Sequence, residues 1–514
     1  MSMKKIVFCL SVLIGLMSCK NQSEVSIISK STISEKHRPA FHFTPDSMWM
    51  NDPNGMVYHE GEYHLFYQYY PDSTVWGPMH WGHAVSKDMV SWEHLPIALY
   101  PDSLGYIFSG SAVIDKGNTS GLGIEGKEPM IAIFTHHNIE GERAKEATFQ
   151  YQSIAYSNDN GRTFTKYKGN PVLKNPGIVD FRDPKVIWHE DTKSWVMVLA
   201  VYDRVHFYSS PNLIIWRKTG EFGIKDDKRL WECPDLFPMK VEGSNEVKWV
   251  LITSIQKEAP NGGTATSYFV GDFDGKTFKG DPQKQHWLDY GTDNYAFVTW
   301  SNVTDGRTLG MGWMSNWQYA QQVPTEKWRS AMTIARSLTL HKSGSSYVVR
   351  SMPVIEIKTL EGESIKLKEG LLKDNLLVSN GKSTLKLDLV FQKPKEGKVI
   401  IRFSNSKSEH LDLGYDAGSK SYFIDRSKSG DYSFSDLFGA IHHGRANYEH
   451  QQLHLLIYID KSSVELFADD GQCVITDIFF PSEEFTTVEI LNNSENTVSL
   501  LSGKVTELKA MNKK

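Results

Sequence analysis

Three acidic residues of this chain each stand beside a proline, at a turn that leads into an aromatic-rich segment. Asp52 lies in "NDPNG", Asp183 lies in "RDP", and Glu232 lies in "ECP". Pro53 restricts Asp52 to extended backbone angles, which gives the side chain of Asp52 a well-defined direction. Two carboxyl groups that meet across a sugar can hydrolyse its glycosidic bond. One is ionised and either attacks the sugar or activates a water molecule, and the other delivers a proton to the leaving oxygen.

The surroundings of the three acids predict different roles. Glu232 follows Trp231 in an apolar stretch, and a dry setting raises the pKa of a carboxyl group, which suits a proton donor. Asp52 lies in an Asn-rich turn whose amides favour the ionised form, which suits a nucleophile. Arg182 should keep the neighbouring Asp183 charged, which suits that residue to holding hydroxyl groups. Each acid alone could be an ordinary turn, ion-pair or surface residue, but the three together favour the catalytic interpretation.

The elements that must position these acids are predicted to be strands. "MVYHEGEYHLFYQYY" and "KVIWHEDTKSWVMVLAVY" have the pattern of hairpins, and long amphipathic helices are absent. A weak repeat begins at Ala84, Ala155, Tyr208 and Gly271. Its spacing of about 50–70 residues predicts propeller blades of four strands, whose innermost strands converge on a central channel. The alternative is that four hairpins resemble one another because turn chemistry is limited.

The second part of the chain differs in composition from the first. Tryptophan ends at Trp328, and beyond residues 341–352 apolar and polar residues alternate between Gly and Asn turns. This pattern predicts an antiparallel β-sandwich. We therefore predict an all-β protein with a propeller over residues 38–348 and a sandwich over residues 349–514.

The first residues have the pattern of an export signal. Lys4 and Lys5 precede an apolar run from Ile6 to Met17, which is too short to span a bilayer comfortably. The run ends at Cys19 in "LMSC", which resembles the lipobox of bacterial lipoproteins. We predict a lipoprotein signal peptide over residues 1–19, a lipid anchor on Cys19 and a flexible tether over residues 20–37. The alternative is an ordinary signal peptide with an incidental cysteine.

Composition excludes several classes of protein. The 514 residues are 40% hydrophobic and 23% charged, with a net charge of −5 and no block of like charges, which argues against a nucleic-acid partner. Cys233 and Cys473 lie far apart, so a disulfide framework is not expected. No metal-binding motif occurs, and His80 and His83 are interpreted as loop residues. We expect no metal, no organic cofactor and a monomer.

Several blocks of the sequence resemble those of glycoside hydrolase family 32, which contains invertases, inulinases and levanases. "WMNDPNG", "FRDP" and "EC" occur in the order found in that family, together with "FSGSAV", "GWMSNW" and, from Asp460, "DKSSVELFADDGQCVITDIFFP". The resemblance covers nearly all of the chain after the leader. It implies a five-bladed β-propeller followed by a β-sandwich, and retaining hydrolysis of β-fructofuranosyl bonds without a cofactor.

The resemblance also implies individual roles. Asp52 matches the nucleophile, Asp183 the transition-state stabiliser and Glu232 the acid/base. Further positions match residues that line the pocket for a terminal fructose, and two more are expected in its wall. The pocket positions are Asn51, Gln68, Trp76, Phe108, Ser109 and Arg182, and the wall positions are Tyr295 and Trp313. "DYGTDNYAFVTW", around Tyr295, departs from the family pattern.

The expected substrates are fructans such as levan or inulin, and possible substrates include sucrose. Release of single fructose units from chain ends is favoured, because Trp76, Trp81 and Phe108 could wall a small site. Endo-acting cleavage of levan is the alternative, and transfer of fructose to another sugar would use the same residues. A rival from another class is a fructan-binding surface lipoprotein without catalytic activity. Inversion, as in related propeller families, would require more widely separated carboxyl groups.

Overall fold

A computed structural model describes residues 35–445, 450–492 and 498–511 of the chain. The predicted signal peptide, the lipid anchor on Cys19 and all but the last residues of the predicted tether lie outside these ranges. The described residues are almost entirely strands and turns, as predicted. None of the helices within these ranges has the length and apolar character needed to cross a bilayer.

Each of the first three sheets contains four consecutive antiparallel strands, paired in chain order. The first contains β1 (Met48–His59), β2 (Glu62–Tyr70), β3 (His80–Ser86) and β4 (Glu93–Leu99). The second contains β5 (Tyr106–Ile114), β6 (Met130–His137), β7 (Gln150–Ser157) and β8 (Thr165–Lys166), with the short helix α1 (Ile139–Arg143) between β6 and β7. The third contains β9 (Phe181–His189), β10 (Ser194–Val201), β11 (Arg204–Ser210) and β12 (Arg217–Gly223).

Two further sheets complete this part of the molecule. The fourth contains β13 (Trp231–Lys240), β14 (Val247–Ile255), β15 (Ala265–Phe273), β16 (Phe278–Gly280) and β17 (His286–Trp287). The next strands are β18 (Tyr295–Thr299), β19 (Thr308–Met314), β20 (Trp328–Arg329), β21 (Ala331–Met332), β22 (Arg336–Ser343) and β23 (Ser346–Pro353). All of these belong to the fifth sheet except β20, which pairs in parallel with β1 and ties the end of the ring to its beginning.

The first strands of the five sheets form a closed ring. β1 contacts β5, β5 contacts β9, β9 contacts β13, β13 contacts β18, and β18 contacts β1 again. Five sheets arranged around one axis in this way are the five-bladed β-propeller that was predicted. Because every blade begins with its inner strand, the starts of these strands meet at one end of the axis, and residues distant in sequence become neighbours there.

The remaining strands form two packed antiparallel sheets, the predicted β-sandwich. The predicted boundary at residue 348 falls inside β23, whose pairing with β22 continues to Pro353, and a 3₁₀ helix (Ile355–Leu360) follows. One sheet contains β24 (Glu361–Lys366), β25 (Gly370–Leu371), β27 (Leu385–Gln392), β32 (Gln452–Ile459), β33 (Ser463–Ala468), β34 (Cys473–Ile478) and β36 (Ser499–Leu508). The other contains β26 (Leu376–Asn380), β28 (Lys398–Ser404), β29 (His410–Asp416), β30 (Ser421–Asp425), β31 (Ile441–Arg445) and β35 (Thr487–Leu491).

Buried charges join the sandwich to the propeller. Arg336 in β22 donates hydrogen bonds to Asp289 at 2.9 Å and to Glu465 in β33 at 2.6 Å. His42 lies between two sandwich carboxylates, with Nδ1 2.8 Å from Asp460 and Nε2 2.9 Å from Glu465. Burial opposes the charged imidazolium, but these two hydrogen bonds outweigh it and raise the pKa of His42 to about 9. The interface therefore contains buried charges of opposite sign that are hydrogen-bonded to one another.

Replacement of His42 by Gln should lower the melting temperature by several degrees near pH 6, because Asp460 and Glu465 lose a charged partner inside the protein. The folded pKa of about 9 lies above the ordinary value of 6.5. The stabilising contribution of His42 is therefore complete below pH 6.5 and is lost as the pH rises through 9. Thermal unfolding by circular dichroism should show a smaller loss of stability between about pH 6 and pH 10 in the variant than in the parent.

His59→Gln provides the control for this prediction, since His59 lies half-buried at the end of β1. It should leave the melting temperature near pH 6 almost unchanged. If His42→Gln were equally neutral, the charge of His42 would contribute nothing to stability.

Candidate active site

The inner strands share an irregularity at the end of the propeller where they begin. In each of them the pairing register with the next strand shifts near the start. Asp183, Cys233 and Ala296 adopt positive φ angles there, of 64°, 46° and 52°. Bulges of this kind turn a side chain away from the sheet and are common beside active sites. The shifts lie between Met50 and Pro53, Ile107 and Gly110, Arg182 and Lys185, Glu232 and Asp235, and Tyr295 and Val298.

The bulges surround a pocket with a volume of about 280 Å³ at this end of the axis. The predicted acids Asp52, Asp183 and Glu232 all line it, so the three distant segments do meet. Six of the other predicted residues also line it, namely Asn51, Gln68, Trp76, Phe108, Ser109 and Arg182.

Cys233 lies at the point where two of the acids approach each other. Its backbone N–H donates a 3.0 Å hydrogen bond to Oδ2 of Asp183. Its sulfur is 3.5 Å from Oδ2 of Asp52 and 3.7 Å from Oδ2 of Asp183. Burial and the adjacent carboxylates raise the pKa of the Cys233 thiol, so the sulfur carries a proton that it can donate weakly to either acid.

The surroundings of Asp52 differ from those predicted. The side chain of Asn54 donates to the backbone carbonyl of Asp52, and Asn51 accepts a hydrogen bond from Trp49. The carboxylate itself accepts a 2.7 Å hydrogen bond from the hydroxyl of Ser109. Burial raises the pKa of Asp52, the Ser109 hydrogen bond opposes this, and the charge of Glu232 raises the pKa further. The side chain of Asn51 also lowers the pKa of Asp52, as expected of the Asn-rich turn, but burial has the larger effect and the net pKa is raised.

Glu232 also has different neighbours from those predicted. Arg182 donates two hydrogen bonds to its Oε1, from Nε at 3.1 Å and from Nη2 at 2.9 Å. The hydroxyl of Tyr295 donates to Oε2. The ring of Trp231 turns away into the apolar layer between blades, where it stacks on Phe269. The predicted apolar environment of the Glu232 carboxylate is therefore wrong, since successive side chains of a strand point to opposite faces.

The prediction that Arg182 holds Asp183 in its charged form is wrong. The guanidinium directs its hydrogen bonds to Glu232 and to Asp180, with 2.5 Å between Arg182 Nη1 and Asp180 Oδ1. Burial raises the pKa of Asp183, Arg182 opposes this, and the charges of Glu232 and Asp52 raise it further, to about 7. Sequence adjacency to an arginine did not indicate which carboxylate the arginine contacts.

The two predicted wall residues lie behind the surface of the pocket. Tyr295 is buried and reaches the site only through its hydroxyl contact with Glu232. Trp313 is fully buried in β19, and Trp317 packs against it with ring centroids 4.9 Å apart. Trp317 lines the pocket instead. Trp317 belongs to the same "GWMSNW" block, but it follows the end of β19 at Met314, so its side chain can point towards the pocket.

Other lining residues carried no recognisable signal in the sequence. They come from strand ends and connections rather than from motifs, so only the arrangement of the blades indicates them. Glu142, in α1, lies 3.2 Å from Nε2 of His137, and both face the mouth of the pocket. Besides Trp317, the residues that sequence reasoning missed are His137, Glu142, Gln150, Asp180, Gln256 and Gln321.

The arrangement can perform acid–base chemistry on a sugar. A buried carboxylate beside a serine can attack, a second carboxyl group oriented by Arg182 and Tyr295 can transfer protons, and aromatic rings border the space between them. On a propeller, a pocket with this set of carboxyl groups is the kind of site that a glycoside hydrolase requires.

Comparison with known proteins identifies the family. Residues 42–351 match the family model "Glycosyl hydrolases family 32 N-terminal domain", and residues 356–509 match "Glycosyl hydrolases family 32 C terminal". The chain therefore belongs to glycosyl hydrolase family 32, and it is a glycoside hydrolase.

Both sequence and structure have similar relatives. The levanase of Bacillus subtilis (strain 168) is 47% identical over 476 residues, which cover 90% of this chain and 69% of the levanase. The extracellular exo-inulinase of Aspergillus awamori is 35% identical over 503 residues, covering 90% of this chain and 93% of the inulinase. The crystal structure of exo-inulinase from Aspergillus awamori superposes with a TM-score of 0.85 at 34% identity, covering 93% of this chain and 99% of that one. The structure of a β-fructofuranosidase from Schwanniomyces occidentalis, complexed with fructosyl-erythritol, superposes with a TM-score of 0.84 at 34% identity. The match covers 93% of this chain and 98% of that one.

Replacement of Asp183 by Asn should stabilise the protein above pH 7. The carboxyl group binds its proton more tightly in the folded chain, with a pKa of about 7, than at its ordinary value of 3.8. The parent therefore loses stability as the pH rises from 3.8 to 7, whereas the neutral amide does not. The melting temperature of the variant should exceed that of the parent by at least about 2 °C at pH 8, and the difference should vanish near pH 4.

Asp180→Asn is the matched control, since it also removes one acid beside Arg182. Asp180 is the partner of that guanidinium, so its loss should lower the melting temperature. A lower melting temperature for Asp183→Asn at pH 8 would mean that the repulsion among the acids is smaller than the contacts Asp183 makes.

Proposed function

We propose that this protein is a retaining, exo-acting β-fructosidase that releases fructose from the ends of fructan chains and also cleaves sucrose. The observation that carries the proposal is the meeting of Asp52, Asp183 and Glu232 around one pocket. The levanase and exo-inulinase relatives support a fructan substrate, and the fructosyl ligand in the similar β-fructofuranosidase structure supports fructosyl recognition.

Asp52 is the proposed nucleophile. Ser109 and the thiol of Cys233 both approach its Oδ2, while Oδ1 is buried and accepts no hydrogen bond from any described residue. Oδ1 attacks the anomeric carbon of the terminal fructose, and the bond to the leaving oxygen breaks as that oxygen takes a proton from Glu232. The products of this step are a fructosyl ester of Asp52 and the shortened chain.

Glu232 acts as the base in the second step. Its carboxylate removes a proton from water, the water oxygen bonds to the anomeric carbon, and the ester bond to Asp52 breaks. Arg182 and Tyr295 hold this carboxylate in place between the two steps. Two displacements at one carbon return the original configuration.

Asp183 stabilises the sugar while it is positively charged, and Arg182 holds ring hydroxyl groups. The raised pKa of Asp183 reflects a dry site among like charges, and a ring that develops positive charge relieves that repulsion. This gain is larger in the transition state than in the bound substrate, which is the condition for catalysis.

Exo action is supported by the closed inner end of the pocket. Beneath the acids, Lys185 in β9 donates to Asp235 at 2.9 Å and to the backbone carbonyl of Thr299 at 2.6 Å, all of them buried. These contacts fill the axis, so a sugar chain can enter from the open end only. Trp76, Phe108 and Trp317 border the entrance.

Glu232→Gln should reduce fructose release from levan, inulin and sucrose by about 10²–10⁴-fold, since it removes the proton donor and base. Glu142→Gln is the matched control, because it neutralises another acid that lines the same pocket. The control should retain turnover within about tenfold of the parent. If the parent binds fructan without releasing sugar at high dose, the protein is a binding protein rather than an enzyme.

The products distinguish the remaining alternatives. Proton NMR of early products should show β-fructofuranose before mutarotation, because the double displacement retains configuration. Chromatography of levan digests should show fructose alone. A ladder of oligosaccharides would indicate endo action, and an initial α-anomer would exclude a covalent intermediate on Asp52.

We also propose export followed by lipid anchoring at Cys19. The extracellular relatives support export, and the "LMSC" sequence after an apolar run supports lipidation. Cys19→Ala should abolish incorporation of labelled palmitate and release the enzyme from membranes in the soluble fraction. Unchanged membrane association would contradict the anchor.

A further inference from the structure

A second concave site lies at the other end of the propeller axis. All inner strands begin at the active-site end, so their final residues lie at the opposite end. A groove of about 660 Å³ is formed there by the end of β5, the end of β9, the start of β10 and the residues after β18. The active-site pocket has a volume of about 280 Å³, so this groove could hold a longer segment of a ligand. Neither the fold nor the proposed mechanism assigns it a role.

Trp188 provides a rigid aromatic surface in this groove. It is the penultimate residue of β9, and 38% of it is exposed. Its indole N–H donates a 2.7 Å hydrogen bond to Glu190, and its ring packs edge-on against Trp195, with centroids 5.1 Å apart. Trp195 is itself held by a 2.9 Å hydrogen bond to Thr119. The exposed ring is therefore fixed in orientation before any ligand arrives, which lowers the entropic cost of binding.

The polar residues around Trp188 favour an uncharged ligand. Glu190 and Lys193 form an ion pair with each other, and Lys116 and Asn302 also line the groove. The lysines oppose a cation and Glu190 opposes an anion. A chain rich in hydroxyl groups can accept and donate hydrogen bonds along such a border while its C–H surface covers the indole.

We propose that this groove is a second carbohydrate-binding site, which holds an internal segment of a β-fructan chain without cleaving it. The inference rests on the proposed function for the choice of fructan as the occupant. The site lies at the opposite end of the axis from the catalytic acids, and the buried contacts of Lys185 close the channel between them. Binding at this second site would keep the enzyme attached to polymeric substrate. The turnover of short substrates, which do not reach the second site, should not depend on it.

The test compares polymer binding and turnover in Trp188→Ala, Trp188→Phe and the matched control Tyr432→Ala, which removes an aromatic residue 54% exposed on the sandwich. Binding is measured by affinity gel electrophoresis in levan, inulin and dextran, with each variant combined with Glu232→Gln to keep the polymer intact. Excess fructose in the gel occupies the catalytic pocket, so the remaining retardation reports other sites.

Trp188→Ala should weaken the remaining retardation by levan or inulin about tenfold, as expected when a central aromatic contact is lost. Trp188→Phe should keep part of the retardation, Tyr432→Ala should keep all of it, and dextran should retard none of them. With Glu232 intact, Trp188→Ala should lower kcat/KM on polymer through a higher KM, with kcat/KM on sucrose within about twofold of the parent. Unchanged sucrose turnover shows that the variant folds.

Two results would overturn the inference. One is equal retardation of Trp188→Ala and the parent, and the other is loss of all retardation when fructose occupies the pocket. Failure of the proposed function has a different signature, namely a parent enzyme that releases no fructose from any substrate.

Discussion

Asp52, Asp183 and Glu232 share one pocket, where like charges repel strongly because the three carboxyl groups are largely buried. Among the described residues that line it, Arg182 is the only arginine or lysine. Its hydrogen bonds go to Glu232 and Asp180, so the repulsion acts mainly on Asp52 and Asp183, and both have raised pKa values. This shortage of positive charge shapes the site. Asp183 holds a proton near neutral pH, and a sugar that develops positive charge is bound favourably.

Such a pocket requires a rigid frame, because the acids would otherwise move apart or take up water. Closure of the ring between β18 and β1 supplies the frame, and the pairing of β20 with β1 ties the end of the propeller to its start. The bulge in each inner strand then directs its side chains towards the axis. Contacts of His42 and Arg336 with Glu465 attach the sandwich to the same frame.

Patterns of the sequence predicted the architecture well, because they depend on local properties. The alternation of apolar and polar residues, together with turn residues, indicated strands. Prolines beside the acids marked the bulged starts of the inner strands. The errors concerned directions in space. Trp231 follows the alternation of its strand into the core, Arg182 reaches past its neighbour to Glu232, and Trp317 rather than Trp313 faces the pocket.

The sequence by itself determined the order of the elements, the family blocks and the identities of the three acids. Only the tertiary structure decided their environments. Cys233 lies beside Asp52 although 181 positions separate the two residues in the sequence. Ser109 donates to the same carboxylate from a separation of 57 positions. The pKa of a carboxyl group depends on burial and on charges within a few ångströms. Those neighbours come from different blades, so no local pattern in the chain contains the information that assigns a proton to one acid rather than another.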